Sequence, residues 1–243
     1  EDSAEAHGTL YKGKRTGSLS DLSEFSFFIT HNIQVGELGA INTDNLELKR
    51  LVEKIKAHGR VCDFEEAKPR ELYYNTKFSE YEDHHPRYYH DIAGYNFKAM
   101  EIQPAIALEQ LKKVDWILES RQNNVKYLNE TLEKYSDIFL LPKHSNEISY
   151  LGYPLVIKNP NIISRRKLRS ELEKNGIETR PLFGCIPLHQ PAYIHLKKDY
   201  EGKLPNAEYL GMNGFYIGCH QFLTQDDLDY VAKVFDDTLK GIK

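Results

Sequence analysis

The sequence predicts an α/β fold, and its N-terminal part carries the pattern that predicts it. Residues 25–29 form an apolar, strand-like run, which passes into a polar loop and a turn at Gly36 and Gly39. A second apolar run follows, and within residues 43–59 apolar side chains recur at helical spacing, at Leu48, Leu51, Val52 and Ile55. Strand, loop, strand and helix in succession are typical of α/β architecture.

The composition is that of an ordinary globular protein. The 243 residues are 40% hydrophobic and 28% charged, long enough for one large domain or two smaller ones. A net charge of −4 and a pI near 6.2 give no electrostatic reason to expect nucleic acid or an acidic membrane as partner. A small anionic metabolite would need only a local basic patch.

Cysteine usage and hydropathy favour a cytoplasmic location. Cys62, Cys185 and Cys219 cannot all pair with one another and are too far apart for a compact disulfide framework, which favours a reducing cytosol. No run of about 18 apolar residues is present, and the chain begins with acidic and polar residues rather than a basic and apolar signal.

The elements of the first half follow in order. Residues 1–10 are predicted to be a strand end followed by a short helical stretch, and the basic, turn-rich residues 11–17 predict an exposed hairpin. After the strand and loop, the predicted helix begins at a cap provided by Thr43 or Asp44 and ends at Gly59.

Residues 60–90 lack clear periodicity and are rich in Tyr, Glu and His. The possible metal ligands in and beside this segment are His58, Cys62, His84, His85 and His90. No spacing such as C-x-x-C or H-E-x-x-H is present, so surface histidines in a long loop are the favoured interpretation and no metal is expected.

The second half predicts a long helix and then a compact α+β unit. Apolar spacing over residues 101–135 predicts a connecting helix with Pro104 in its first turn. Residues 142–149 are polar and turn-rich, which predicts a domain boundary. Beyond it we expect strands at 150–157, 177–180 and 215–218, a helix at 164–175 closed by Gly176, and a last helix that begins with a capping-box variant at Thr224.

The stretch SFFITHNIQVGELGA, residues 26–40, is the candidate functional site. Thr30, His31 and Asn32 follow a predicted strand directly. Loops at the carboxyl ends of strands bind ligands in α/β proteins, because they stand on a rigid base and their backbone donors are free. A hydroxyl, an imidazole and an amide at this position therefore predict a binding or catalytic site.

Several motifs together resemble the DegT/DnrJ/StrS sugar aminotransferase family. They are EDSAEAHG at 1–8, GSLSDLSEFSFF at 17–28, THNIQVGELGAINTDN at 30–45 and GYNFKAMEIQPAIALEQLKKVD at 94–115, with a similar C-terminal tail. The family has an ED-x-x-x-A-(H/L)-G stretch before a K-N-x-x-x-G-E-G-G stretch. The resemblance covers nearly the whole chain and implies the C-terminal portion of a fold type I transferase that depends on pyridoxal 5'-phosphate (PLP).

One departure from the family pattern bears on the chemistry. His31 stands where the aminotransferases carry the lysine that bonds the cofactor covalently, and this substitution is similar to the nucleotide-sugar 3-dehydrases of the family, which use pyridoxamine 5'-phosphate (PMP) and a histidine base. An amine can capture an aldehyde, whereas an imidazole cannot but moves protons near neutral pH. Asn32 instead matches the Lys-Asn pair of the aminotransferases, so the sequence is a hybrid.

The resemblance implies a cofactor site made of Asp2, Glu5, Ser26 and Asn32 beside His31. Asp2 would lie under the pyridine nitrogen and keep it protonated, and the serine would bond the cofactor phosphate. Two alternatives stay open: Asp2 as an ordinary exposed acid and Ser26 as an outward-facing strand hydroxyl.

Two further residues extend the expected site. Asn96 matches a family asparagine that reaches the phosphate of the partner's cofactor, which implies a homodimer with a shared active site. Arg180 is a candidate contact to substrate, because a guanidinium forks onto phosphate; an ordinary surface arginine is the alternative.

The resemblance also implies how the chain is organised. We expect residues 1–115 to be the remaining part of the large PLP-binding domain, 116–141 a connecting helix and 142–243 the small C-terminal α+β domain. Because the chain begins at what resembles a strand end, we expect it to be truncated at its N-terminus and to lack part of the cofactor site.

The function that the resemblance implies is a step in making deoxysugars or aminosugars for surface glycans such as lipopolysaccharide. A PLP/PMP-dependent 3-dehydrase acting on a nucleotide-linked 4-keto sugar through His31 ranks first. A nucleotide-sugar aminotransferase of the same family ranks second and would need another lysine. The third alternative is a cofactor-poor homologue that works as a dimerising or carbohydrate-binding module.

Overall fold

A computed structural model of the chain describes residues 1–61, 88–182 and 189–240. Contacts within the chain divide it into two compact units, Glu1–Lys112 and Lys113–Lys243. The predicted three-part division, with a connecting helix at 116–141, stays a prediction. Four of the cysteines and possible metal ligands considered above lie outside the described residues: Cys62, His84, His85 and Cys185.

The first unit begins with turns and a hairpin. The short helix predicted within residues 1–10 is wrong, because hydrogen bonds from Ala6 N to Ser3 O and from Thr9 N to Ala6 O close two separate turns instead of a helical ladder. Strands β1 (Leu10–Tyr11) and β2 (Lys14–Arg15) form the predicted hairpin. Its two turn residues, Lys12 and Gly13, have φ of 52° and 77°, the left-handed conformation that a tight two-residue hairpin turn needs.

Strands β3 (Ser23–Ser26) and β4 (Gly39–Asn42) pair in antiparallel fashion, with Ser26 opposite Gly39. The N-terminal residues add a parallel partner on β3, since Asp2 bridges Glu24 and Ser3 N donates to Glu24 O over 3.0 Å. The strand predicted over 25–29 begins two residues earlier and ends three residues earlier than expected, at Ser23–Ser26. The chain enters the loop after Ser26, and this loop contains Thr30, His31 and Asn32.

Helix α1 (Leu46–Lys56) is capped by a residue that the sequence argument missed. Asn45 Oδ1 accepts from the backbone N–H groups of Glu47 and Leu48 at 2.9 and 3.2 Å. The prediction of Thr43 or Asp44 as the cap is therefore wrong; Thr43 Oγ1 instead accepts from Asn45 N at 3.1 Å. An asparagine accepts as well as either residue, so composition alone could not choose among them.

The long helix predicted over 101–135 is two helices. Helix α2 (Ile102–Leu111) ends and α3 (Val114–Leu132) begins around Lys112 and Lys113. Pro104 lies in the first turn of α2, as predicted. Because the unit boundary falls between the same two lysines, α3 belongs to the second unit.

The second unit contains a four-stranded antiparallel sheet of order β5-β6-β8-β7. Its strands are β5 (Phe139–Leu140), β6 (Tyr153–Ile157), β7 (Thr179–Pro181) and β8 (Gly214–Ile217). Its helices after α3 are α4 (Arg165–Lys174), α5 (Lys197–Tyr200), α6 (Pro205–Asn213) and α7 (Gln225–Leu239). Short 3₁₀ helices cover Glu133–Tyr135 and Pro191–Leu196.

Residues from the sheet and from α3, α4 and α7 share one apolar core. Leu128 from α3, Leu168 from α4, Phe215 from β8 and Phe235 from α7 are all fully buried in it. The predicted capping box of α7 is confirmed, since Thr224 Oγ1 accepts from Asp227 N and the Asp227 carboxylate accepts from Thr224 N. Among the described helices, none combines the length and the apolar character needed to span a membrane.

Candidate active site

The loop that follows β3 is fastened to the sheet at both ends. Phe27 N donates to Leu38 O at 2.8 Å, and Val35 N donates to Phe27 O at 2.9 Å. Phe27, Asn32 and Ile33 are buried, so the loop has its own apolar and polar anchors. His31 lies between these anchors, which limits how far its backbone can move.

His31 makes two polar contacts through its ring. Nε2 lies 3.3 Å from Glu5 Oε1, and Nδ1 lies 3.3 Å from the backbone oxygen of Ser26. The side chain is only 13% exposed, against 35% for Glu5, and its ring meets Phe28 edge-on with 5.7 Å between centroids. The imidazole therefore occupies one defined position beside the end of β3 rather than sampling solvent freely.

Asp2 forms an isolated parallel bridge beside β3, and Ser26 is the last residue of that strand. Asp2 bridges β3 at Glu24, two residues before Ser26, and adjacent strands stand about 4.8 Å apart. The Asp2 carboxylate is exposed and accepts from Ala4 N at 3.1 Å. Ser26 Oγ accepts from Phe28 N at 3.3 Å, which leaves its hydroxyl hydrogen to donate to another group.

The other predicted site residues each have their own surroundings. Asn32 is 1% exposed, so its amide faces the interior. Asn96 is exposed and bridges Ala57, and among the described residues it shares no hydrogen bond with His31. Arg180 lies on β7 in the second unit, where its hydrogen bonds to the Glu178 carboxylate raise the pKa of Arg180.

His7 is a feature of the site that the sequence argument did not single out. It is 5% exposed, and its ring lies 5.1 Å from that of Phe25 and 5.2 Å from that of Phe27. Neither ring nitrogen has a hydrogen-bond partner among the described residues. Burial, and secondly the nearby His31, lower the pKa of His7 to about 4, so this imidazole is neutral at ordinary pH. In the sequence, the two-residue spacing of Phe25 and Phe27 indicates an apolar face against which a residue such as His7 could pack.

A hollow of about 950 Å³ lies beside β4 and α1 in the first unit. Its lining residues include Asn42, Lys49, Glu53 and Phe97, whereas none of the predicted site residues lines it.

Within the described ranges, no group of three or more His, Cys, Asp or Glu side chains is placed to hold a metal ion. Cys219 is a buried free thiol, and burial raises its pKa to about 11.

The contacts of the His31 ring are those of an acid–base site. An imidazole paired with a carboxylate on the loop at the end of a strand is equipped for proton transfer. The chain belongs to the DegT/DnrJ/EryC1/StrS aminotransferase family, whose sequence profile matches residues 1–236.

Curated relatives carry related but different activities in their names. The lipopolysaccharide biosynthesis protein RfbH of Salmonella typhimurium is 30% identical over 98% of this chain and 55% of its own length. A dTDP-4-dehydro-2,6-dideoxy-D-glucose 3-dehydratase of Saccharopolyspora spinosa is 32% identical over 96% of the chain and 51% of its own length. A GDP-perosamine synthase of Caulobacter vibrioides is 31% identical over 98% and 58%. The chain therefore spans between half and three fifths of these relatives.

A solved structure confirms the predicted fold class. The GDP-4-keto-6-deoxy-D-mannose-3-dehydratase of Escherichia coli, determined with bound hydrated PLP, superposes with a TM-score of 0.77 at 26% identity, over 96% of this chain and 59% of that one. The chain is thus part of a fold type I PLP-dependent transferase fold, as the motifs predicted.

Proposed function

We propose that this chain carries the acid–base part of a PLP/PMP-dependent enzyme that removes the 3-hydroxyl of a nucleotide-linked 4-keto sugar. The observation that carries the proposal is His31, an imidazole held 3.3 Å from Glu5 at the position where aminotransferases of the family have a lysine. The similarity to two 3-dehydratases supports the reaction class, and the similarity to RfbH supports a place in surface-glycan synthesis.

The residues at the end of β3 fit pyridoxamine phosphate by their chemistry. The exposed Asp2 carboxylate suits a protonated pyridine nitrogen, and the Ser26 hydroxyl has a hydrogen to donate to phosphate. Asn32 would contribute through its fixed position in the loop. When bound, the cofactor supplies an amine that condenses with the ketone and a ring that withdraws electrons from the reacting carbons.

The chain's own residues then have separate tasks. His31 would move a proton between the cofactor carbon and the departing sugar hydroxyl, which is general acid–base chemistry suited to an imidazole. Its low exposure keeps the ring oriented and limits competing water. Arg180 would contact the anionic nucleotide of the substrate, although in the described chain it pairs with Glu178.

We further propose that the protein works as a homodimer in the cytoplasm. Asn96 is exposed in the first unit, as a residue that reaches a partner's cofactor must be. The reduced, buried Cys219 thiol is in keeping with a reducing compartment.

A second function, sugar amination, is favoured by a specific observation. Asn32 follows His31 as an asparagine follows the lysine of the aminotransferases, and GDP-perosamine synthase is 31% identical to the chain. Amination would need a lysine other than residue 31 to bond the cofactor, since an imidazole cannot.

The test is to identify the product by mass spectrometry. The 243-residue chain, and any longer protein that contains it, is incubated with PMP and with GDP- or dTDP-linked 4-keto-6-deoxy sugars. We expect a sugar that has lost its C3 oxygen, and a loss of about 10²-fold or more in rate for His31→Gln. The control is Glu24→Gln, which changes an exposed carboxylate on β3.

Two outcomes would contradict this function. A sugar that gains nitrogen and keeps its C3 oxygen would establish the aminotransferase instead. A longer protein that retains no cofactor and changes neither sugar would establish the cofactor-poor homologue.

A further inference from the structure

Both ring nitrogens of His31 face oxygen atoms, and one of these atoms can only accept. The Ser26 oxygen, 3.3 Å from Nδ1, belongs to a backbone carbonyl and has no hydrogen to give. Nδ1 must therefore carry the hydrogen of this bond. If the imidazole is neutral, its other nitrogen, Nε2, then has a lone pair and no hydrogen.

The contact between Nε2 and Glu5 does not fit a neutral imidazole beside an ionised carboxylate. Nε2 lies 3.3 Å from Glu5 Oε1, and a bare nitrogen lone pair facing a carboxylate oxygen is repulsive. The contact becomes attractive when one proton lies between the two atoms, either as imidazolium beside carboxylate or as carboxylic acid beside imidazole. Such a pair holds one proton more than a neutral imidazole plus a carboxylate.

Glu5 is the carboxylate in direct contact with the His31 ring. His7, whose pKa is lowered secondly by the nearby His31, is neutral because burial lowers that pKa to about 4. The Phe28 ring contributes an edge-on contact and no charge. The geometry therefore singles out Glu5 as the partner of the Nε2 atom of His31.

Exposure indicates the route by which the proton reaches solvent. The His31 side chain is 13% exposed, whereas that of Glu5 is 35% exposed. Because Ser26 O and Glu5 Oε1 occupy both ring nitrogens, His31 must release one of them before it can act on a substrate. The carboxylate contact is the one that can be released without breaking the loop that follows β3.

We propose that Glu5 is the positioning and proton-relay residue of His31: the two share one proton in the resting chain, and Glu5 exchanges it with water. In the relay, the Nε2–H bond breaks, an Oε1–H bond forms, and the proton passes from Oε1 to solvent, leaving the Nε2 lone pair open as a base. This inference rests on the proposed function of His31 and assigns Glu5 a role through His31 rather than a contact to cofactor.

The test reads protonation directly, without cofactor or substrate. The 243-residue chain is labelled with ¹⁵N-histidine, and the His31 signals are assigned by their loss in His31→Gln. At pH 7 we expect the wild type to have hydrogens on both ring nitrogens of His31 or one shared with Glu5. In Glu5→Gln we expect Nδ1–H alone, because the glutamine amide can donate to an unprotonated Nε2 while keeping the contact. Glu24→Gln, the control, should match the wild type.

The enzyme assay supplies a second, independent readout. Glu5→Gln should lower kcat by about 10²-fold at neutral pH and move the pH profile, while the affinity for PMP stays within about twofold of the wild type. A large loss of PMP affinity with an unmoved pH profile would show that Glu5 contacts the cofactor instead.

The NMR outcome separates this proposal from the proposed function. A bare Nε2 in the wild type at pH 7, or His31 signals that Glu5→Gln leaves unchanged, would overturn the relay even if dehydration is observed. The wild-type measurement alone suffices if the variant does not fold. Conversely, a shared proton together with sugar amination would leave the Glu5–His31 pair intact and overturn only the dehydrase.

Discussion

The two units differ in how they are held together. In the second unit, helix and strand residues such as Leu128, Leu168, Phe215 and Phe235 form one continuous apolar core. In the described part of the first unit, buried apolar residues are few and scattered: Phe27, Ile33, Ala57, Val61 and Ala107. None of the residues of α1 is fully buried.

On the proposed function, the catalytic chemistry lies in the first unit and the larger apolar core in the second. The first unit carries His31 on a loop that is held by backbone hydrogen bonds and a few anchors, and it carries Glu5 in the N-terminal turns. The second unit carries the packed core, and burial there contributes about 25 cal/mol per Å² of apolar surface removed from water. We therefore expect core substitutions in the second unit to change stability most, and substitutions at the site to change chemistry.

The largest expected effect comes from truncating the core of the second unit. Leu168→Ala removes a side chain that is 0% exposed, so it loses burial and leaves a cavity, with an expected loss of about 4 kcal/mol in the free energy of unfolding. The matched substitution Leu51→Ala, in the first unit and 44% exposed, should cost only about 0.5 kcal/mol. Urea unfolding followed by circular dichroism measures both.

Equal losses for the two leucines would contradict this comparison. They would mean that Leu51 is covered in solution, and that truncating a leucine lowers the free energy of unfolding as much in the first unit as in the second.

A slightly smaller effect is expected from His7 and depends on pH. Its pKa is about 4 in the folded chain, against the ordinary histidine value of 6.5, so between these values the unfolded state binds a proton that the folded state does not. Above pH 6.5 this group does not lower the free energy of unfolding. As the pH is lowered towards 4, the free energy of unfolding falls by up to about 3 kcal/mol. His7→Leu, which fills the same space without a titratable group, should lack this part of the acid sensitivity.

The measurement is the free energy of unfolding of both proteins from pH 7 to pH 4. The difference between His7→Leu and the wild type should grow in favour of the variant as the pH falls. A constant difference across this range would show that His7 is not buried and neutral.

The smallest of these effects concerns the start of α7. Thr224→Ala removes the hydroxyl that accepts from Asp227 N at 3.2 Å, and the loss of this cap should cost about 1 kcal/mol. Thr224→Ser keeps the hydroxyl and should cost a few tenths at most. Thermal unfolding of the two variants distinguishes them, and equal losses would rule out the hydroxyl as the cause.

Local patterns predicted those elements whose signals lie close together in the sequence. Three such elements could be recognised directly, because each depends on residues within one turn. They are the hairpin around Gly13, the capping box at Thr224 and the end of α4 before Gly176. The N-cap of α1 could not, because Thr43, Asp44 and Asn45 are all good caps and only the chain path selects among them. The break between α2 and α3 was missed because apolar spacing continues through Lys112 and Lys113.

The candidate site was predicted as a set of residues but not as a set of contacts. The residues of the loop after β3 identified His31, and the motif resemblance identified Asp2, Glu5 and Ser26. That Nε2 of His31 meets Glu5, and that His7 lies buried against Phe25 and Phe27, depends on how the N-terminal turns fold back beside β3. Such contacts between separate segments have no local signature in one sequence.

The most direct test of the central claim, that His31 moves protons and no lysine tethers the cofactor, is reductive trapping. The protein is incubated with pyridoxal phosphate, reduced with borohydride and mapped by peptide mass spectrometry, with His31→Lys as the positive control. We predict no stoichiometric label on any lysine of the wild type and a label at position 31 in the variant. A stoichiometric label on one wild-type lysine would contradict the account and identify an aminotransferase.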